Sequence, residues 1–141
     1  MAGDTLTGSG GANRLNGYEG DDVLSGAIGV DTLIGGAGAD RFIFAHIDDS
    51  FSGAPDRIAD FSHAQRDKID LSGIDANTGA AGDQAFTFIG TTLYSGVAGQ
   101  LRYHSDGIVT NIGGDINGDG KSDFQIQLTG SIGLVAADFV L

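Results

Sequence analysis

The chain contains no cysteine and only one proline, Pro55. Without cysteine, neither a disulfide framework nor a thiolate zinc site can form. With a single proline, something else must set the turns, and 25 glycines in 141 residues are present to do so. Basic residues are scarce too, with Lys plus Arg at 7 against Asp plus Glu at 19. A surface this poor in cations cannot neutralise a phosphate backbone, which excludes nucleic acid as a partner. No apolar stretch approaches membrane-spanning length, which excludes stable membrane insertion, and residues 1–20 carry no basic start followed by an apolar run of the kind that directs Sec export. Catalytic signatures are missing as well. His46, His63 and His104 are too far apart for an HExxHxxGxxH zinc site, and no nucleophile elbow or Ser/His/Asp pattern occurs.

What is abundant is ordered. Asp4, Asn13, Asp22, Asp31 and Asp40 recur at intervals of nine residues, and two positions after each comes an apolar side chain: Leu6, Leu15, Leu24, Leu33 and Phe42. Gly8, Gly17, Gly26 and Gly35 open the successive turns. The cleanest unit, Gly35-Gly36-Ala37-Gly38-Ala39-Asp40-Arg41-Phe42, reads GGxGxDxU. Glycines permit positive φ and expose carbonyls, the aspartate adds a hard anionic oxygen, and the residues that follow form a short strand with one inward apolar side chain. This repeat resembles the RTX nonapeptide, a calcium-binding parallel β-roll in which two repeats complete one coil and like turns stack from repeat n to n+2. The net charge of -12 has the same sense, since about six divalent cations would balance it.

Calcium is therefore the expected cofactor. Its candidate ligands in the roll are Asp4, Asn13, Asp22, Asp31 and Asp40, together with the turn positions Gly8, Gly10, Gly17, Glu19, Gly20, Gly26, Ile28, Gly29, Gly35, Gly36, Ala37 and Gly38. The units GSGGAN, GYEGDD and GAIGVD depart from the ideal, and the neutral amide of Asn13 makes its site weaker or incomplete. Asp56-Arg57-Ile58 and Asp67-Lys68-Ile69 keep the aspartate and apolar pair without most of the glycines, so they read as degenerate final coils.

From Phe86 the pattern changes to period-two alternation, which predicts antiparallel strands over 86–89, 100–104, 107–113 and 123–129. Between the last two, Asp115, Asn117, Asp119 and Asp123 place oxygen donors at loop positions 1, 3, 5 and 9, with Gly120 at 6 and the Lys121 carbonyl at 7. That spacing is a calcium loop, while an Asx- and Gly-rich turn without metal is the other reading. The expected architecture is all-β: a parallel β-roll over 1–72 and an antiparallel, sandwich-like cap over 73–141.

The segments GGAGADRF, DRIADF, RDKIDLSGID, FTFIG, LYSGVAGQLRY, GDINGDGKSDF and the final DFVL resemble the C-terminal domain of the serralysin-type bacterial metalloproteases along nearly the whole chain. The resemblance implies a calcium-loaded β-roll, a noncatalytic role beside a covalently linked N-terminal catalytic domain, secretion to the extracellular space, and a C-terminal signal, here Asp138–Leu141, read by a type I ABC secretion system. The competing reading is an extracellular module that binds polysaccharide or a partner through Tyr18, Tyr94 or Tyr103.

Overall fold

The computed structural model describes residues 2–141. Each nonapeptide contributes a three-residue strand and a glycine-rich turn, and the strands β1 (Thr5–Thr7), β2 (Arg14–Asn16), β3 (Val23–Ser25), β4 (Thr32–Ile34) and β5 (Arg41–Ile43) fall alternately into two sheets. Three residues suffice because only the middle side chain must point inward. Leu24, Leu33 and Phe42 occupy that position, fully buried, whereas Leu6 and Leu15 in the first coil are only partly covered. Two further strands, β6 (Asp56–Ile58) and β7 (Lys68–Asp70), continue the coils after longer turns and bury Ile58 and Ile69.

The remaining strands are β8 (Thr87–Phe88), β9 (Gln100–Ser105), β10 (Val109–Asp115), β11 (Phe124–Thr129) and β12 (Phe139–Val140). One sheet has five parallel strands in the order β1-β3-β5-β7-β12, and the other has seven in the order β2-β4-β6-β11-β10-β9-β8. The fold is thus all-β, with a parallel roll followed by a cap whose central strands β9, β10 and β11 are antiparallel. The cap is built onto the roll's own sheet, because β11 pairs in parallel with β6, placing Gln127 opposite Arg57. Ser50 secures this join, accepting the Asp56 amide at 2.9 Å and donating to the carbonyl of Gln125.

Two strands differ from the alternation pattern. The segment expected over 86–89 shortens to Thr87–Phe88 and runs parallel to β9, because residues 89–99 cross over instead of turning back, with the Thr87 and Ile89 amides bonding the carbonyls of Gly99 and Leu101. The strand expected from 107 starts at Val109, since Asp106 holds the Ile108 and Val109 amides in the hairpin turn.

The C-terminal segment closes the five-stranded sheet. Phe139 stands opposite Ile69 and packs against Phe88, with ring centroids 5.3 Å apart. Buried Asp138 accepts the Val135 amide with Oδ2, while its Oδ1 lies 2.7 Å from His63 Nδ1, and the Lys68 ammonium donates to the Ala137 carbonyl.

Candidate metal centre

The in-phase aspartates form two ladders, one along each side of the roll. On one side the amide of Asp4 donates to Asp22 Oδ1 at 2.6 Å, that of Asp22 to Asp40 Oδ1 at 2.9 Å, and that of Asp40 to Asp67 Oδ1 at 3.0 Å. On the other, the amide of Asn13 donates to Asp31 Oδ1 at 2.7 Å and that of Asp31 to Asp56 Oδ1 at 2.8 Å. One oxygen of each carboxylate thereby ties its coil to the preceding one. The second oxygen of Asp22, Asp31, Asp40 and Asp56 is buried and has no hydrogen-bond partner. A buried acceptor left unpaired costs roughly 1–3 kcal/mol, and four at corresponding positions of the coils call for a shared partner.

Glycine at the head of each turn makes room for this arrangement. A methyl group at Gly17 would collide with the carboxylate of Asp22 and the carbonyl of Gly35, and one at Gly26 or Gly35 with the carboxylate of Asp31 or Asp40. The free carboxylate oxygens of Asp22, Asp31 and Asp40 therefore sit over the first glycine of their own turns. At Gly17 the carbonyl of the next coil approaches the same point. Anionic and carbonyl oxygens that converge without donors are what a hard divalent cation requires.

The charges are correspondingly uneasy. Burial pushes the carboxyl of Asp40 up, against the lowering hydrogen bond from the Asp22 amide, and the charges of Asp22, Asp60 and Asp21 raise it further. Burial also raises Asp31, with Asp49 adding to the effect. Asp56 is pushed up to about 7, mainly by burial and then by Asp31 and Asp49, and Asp67 to about 6 by burial, with Asp40 and Asp60 contributing. A cation among these groups would neutralise the like-charge effects and, by favouring the ionised carboxylates, oppose the upward push of burial.

The departures from the repeat are accommodated at visible cost. Gly36 takes φ 99° at the second turn position, where the equivalent residues Tyr18 and Ala27 are forced to φ 72° and 64°. Side chains in that left-handed region cost roughly 1–2 kcal/mol each. Asn13 differs from the aspartates in that its Oδ1 accepts the Ser9 amide at 2.7 Å, so its own turn uses the oxygen. Asp4 is exposed at the open end, and the space where a Gly10 side chain would start is open. Glu19 and Gly20 meet Ala37 across the stacked turns, and Gly38 lies against the Gly20 carbonyl. The Ile28 side chain projects outward at 59% exposure, leaving only its backbone to face the turn, and Gly29 packs against the Gly11 carbonyl.

The degenerate coils divide. Asp56 retains a free buried oxygen, whereas Asp67 spends both, its Oδ2 accepting the Ser62 amide at 2.9 Å. Two further acids join them, Asp49 at the next nine-residue interval after Asp40 and Asp60 outside that phase. Asp49 accepts the Ala45 and His46 amides beside Asp31 and Asp56, and Asp60 accepts the Gly35 and Gly36 amides at 3.0 and 2.8 Å.

The loop of 115–123 is self-contained. Asp115 accepts the Gly118 and Gly120 amides, Asn117 that of Asp119, and Asp119 that of Lys121. Asp123 accepts the Ile116 amide and the Asn117 side-chain amide. The acids and Asn117 thus surround one turn, but each Asp115 and Asp123 oxygen already has a donor. Among the described residues, no three His, Asp or Glu side chains gather tightly enough to hold a metal by themselves, so any cation here leans on backbone carbonyls. The tyrosines share no face: Tyr103 stacks inward on Phe88, Tyr18 is 71% exposed on a turn, and Tyr94 bonds Ser122.

A parallel roll of nonapeptides, with aspartates stacked along its turns and a mixed-sheet cap, defines an RTX-type β-roll module. The chain belongs to the peptidase M10 serralysin C-terminal family, whose match spans residues 12–141. It is similar to the metalloprotease AprA of Pseudomonas entomophila (strain L48), with 40% identity over 91 residues that cover 63% of this chain and 18% of the relative. The chain therefore spans only a small part of that protein's length. Among solved structures it is similar to the AlgE6R3 subunit of the Azotobacter vinelandii mannuronan C5-epimerase, at 28% identity and TM-score 0.59, covering 98% of this chain and 77% of that one.

Proposed function

We propose that this chain is a noncatalytic calcium-binding module of a larger secreted enzyme, which folds when calcium is supplied outside the cell and carries a type I export signal at its C-terminus. The observation that carries this reading is the set of buried, partnerless oxygens on Asp22, Asp31, Asp40 and Asp56. Bound calcium supplies positive charge and accepts six to eight oxygen donors. The chain's own groups do the rest: aspartate Oδ1 atoms lock coil to coil, Oδ2 atoms and turn carbonyls offer the coordinating oxygens, and small glycines let them converge. Without a cation these carboxylates repel, and three-residue strands bury too little apolar surface to offset the ordering of so many glycines. Extracellular calcium modules work at roughly 0.1–1 mM, which places the folding transition outside the cytosol.

Family membership supports a linked N-terminal metalloprotease domain in the parent protein. On the export reading the folded tail sets a condition on timing. Asp138 and Phe139 are buried in the folded chain, so a type I ABC exporter that reads Asp138–Leu141 must meet the chain before β12 docks on β7.

A calcium titration of the metal-free chain, followed by circular dichroism and calorimetry, tests the module. The expected result is a largely unfolded chain that gains β-structure cooperatively with several ions bound. A cooperative β-fold in excess chelator would sink the proposal. For the tail, export through a matching type I system is compared with and without Asp138–Leu141. Lost export, alongside calcium-driven folding of the purified truncated chain, separates address from structure, and equal export of both refutes the signal.

A further inference from the structure

The register of the seven-stranded sheet lines up six polar side chains in a single row. Arg14 stands opposite Thr32, Thr32 opposite Arg57, Arg57 opposite Gln127, Gln127 opposite Asn111, and Asn111 opposite His104. Their flanking residues Leu33, Ile58, Ile112, Ile126 and Leu128 point into the core, so the row lies on the outer face. Five inter-strand steps of about 4.8 Å give it a length of about 24 Å.

The row is free of acid in a chain that carries 19 Asp and Glu against 7 Lys and Arg. Arg14, Arg57 and the neighbouring Arg102 make no ion pair, since the ion pairs among the described residues are Arg41 with Asp70 and His63 with Asp138. The acids nearest the row are Asp31 and Asp56, one residue before Thr32 and Arg57, whose carboxylates are buried in the ladder; Asp106 lies within electrostatic reach of His104, and Asp115 and Asp123 within reach of Tyr94. The amides are preset by one another, Gln125 Nε2 donating to Asn111 Oδ1 at 2.8 Å and Arg57 reaching Gln127 Oε1 at 3.5 Å.

Beside this row lies a cleft. The next register line runs Arg102, Gly113, Gln125; the Ser122 and Tyr94 hydroxyls fill the space over Gly113, and beside them lies a hollow of about 200 Å³ walled by Arg102, His104, Asn111, Ser122 and Gln125. Tyr94 closes one end, its hydroxyl 2.8 Å from that of Ser122 and its ring beneath the Arg102 guanidinium at 5.6 Å.

The geometry points to this face as a binding site for an extended polysaccharide that carries carboxylates, a polyuronate. Amide and hydroxyl side chains repeated at the strand spacing offer paired donors and acceptors to successive sugar hydroxyls, whose repeat along a 1→4-linked chain is close to that spacing. Arg14 and Arg57 take carboxylates in fork-to-fork fashion, Arg102, whose Nε and Nη2 donate to the carbonyls of Thr92 and Thr91, adds positive charge, and the hollow beside Ser122 receives one ring edge-on. Nucleic acid presents a phosphate about every 1.7 Å along the duplex, a density that the three arginines of this face cannot meet on a molecule of charge -12. A peptide strand would dock at a sheet edge, where backbone groups are unpaired, and not on a face whose backbone is already laddered.

The test is a titration of the folded, calcium-loaded chain with an oligogalacturonate long enough to span the row, by calorimetry and amide NMR, with oligomer into calcium buffer as the blank. Saturable binding is expected, with shifts concentrated at Arg57, Asn111, Gly113 and Gln127. Arg57→Ala and Gln127→Ala should each weaken it about tenfold, on the scale of a lost charge-assisted hydrogen bond. Arg66→Gln, off this face, should leave it unchanged, and the methyl-esterified oligomer should bind less tightly. Absence of saturable binding overturns the site, as does an Arg57→Ala/Gln127→Ala double variant that folds at the wild-type calcium midpoint and binds as before. Equal affinity for a single-stranded oligothymidylate overturns the ligand class, because charge alone would then account for the binding.

Discussion

At the scale of single residues, the difference between a good and a poor repeat lies in two atoms. Asp31 and Asp40 each keep one oxygen for the preceding coil and leave the other free, while Asn13 gives its side-chain oxygen to Ser9. Replacing Asp31 or Asp40 with alanine should therefore move the calcium midpoint for folding to much higher concentration than Asn13→Ala does. Three equal midpoints in a calcium titration would contradict this ranking. The second turn position supplies a complementary expectation. Ala27 holds φ 64°, where Gly36 in the ideal unit holds φ 99° without strain. Ala27→Gly should stabilise the calcium-loaded chain by about 1 kcal/mol, the left-handed cost of alanine less the added chain entropy of glycine. Thermal unfolding in saturating calcium reads it, and an unchanged or lower midpoint would show that the turn imposes no such strain.

At the scale of elements, the loop of 115–123 provides a separable test. Asp123→Ala removes the acceptor of the Ile116 amide and of the Asn117 side chain, so the β10–β11 hairpin should loosen by roughly 1–3 kcal/mol while the roll still folds with calcium. Calorimetry should count one ion fewer, and an unchanged count assigns the loop to ordinary hairpin chemistry. The roll's elements were legible in the sequence because their information is periodic: a nine-residue interval sets strand, turn and inward side chain together, and β1 to β5 follow it. Where the period lapses, so does legibility. Asp49 keeps the nine-residue interval but without the flanking glycines, Asp60 sits in an irregular turn outside it, and Ser50 makes its contact with Gln125 across 75 residues of chain. Alternation located β9, β10 and β11, but it is blind to partner and direction. Neither the parallel seam of β6 with β11 nor the docking of β12 on β7 leaves a local trace.

At the scale of the whole molecule, acidity and calcium act on the same groups in opposite ways. The carboxyl of Asp56 stands at about 7 in the folded chain and that of Asp67 at about 6, against about 3.8 when free. For a carboxyl raised in this way, the neutral form favours the fold. Its contribution is complete below about pH 3.8 and disappears as pH rises through about 7. In chelator, therefore, the β-structure should diminish from pH 5 to pH 8, while the calcium concentration needed for folding should fall over the same interval. Circular dichroism at both pH values checks this, and a metal-free chain more ordered at pH 8 than at pH 5 would refute it. The two aspartate ladders also have an orientation. In every rung the amide belongs to the earlier coil and the carboxylate to the later one, and the last rungs end at Asp56 and Asp67 beside the cap. The backbone bonds between coils run both ways, the Gly8 amide to the carbonyl of Ser25 and the Val23 amide to that of Asp4, so only the carboxylate ladders carry this direction. The two ends of the roll are also unequal, closed over Ile58 and Ile69 and half-open at Leu6, so fraying should start at the Leu6 end. The N-terminal coil, whose Leu6 and Leu15 are only partly covered, is thus the first expected to yield, and amide exchange along the roll would be fastest there.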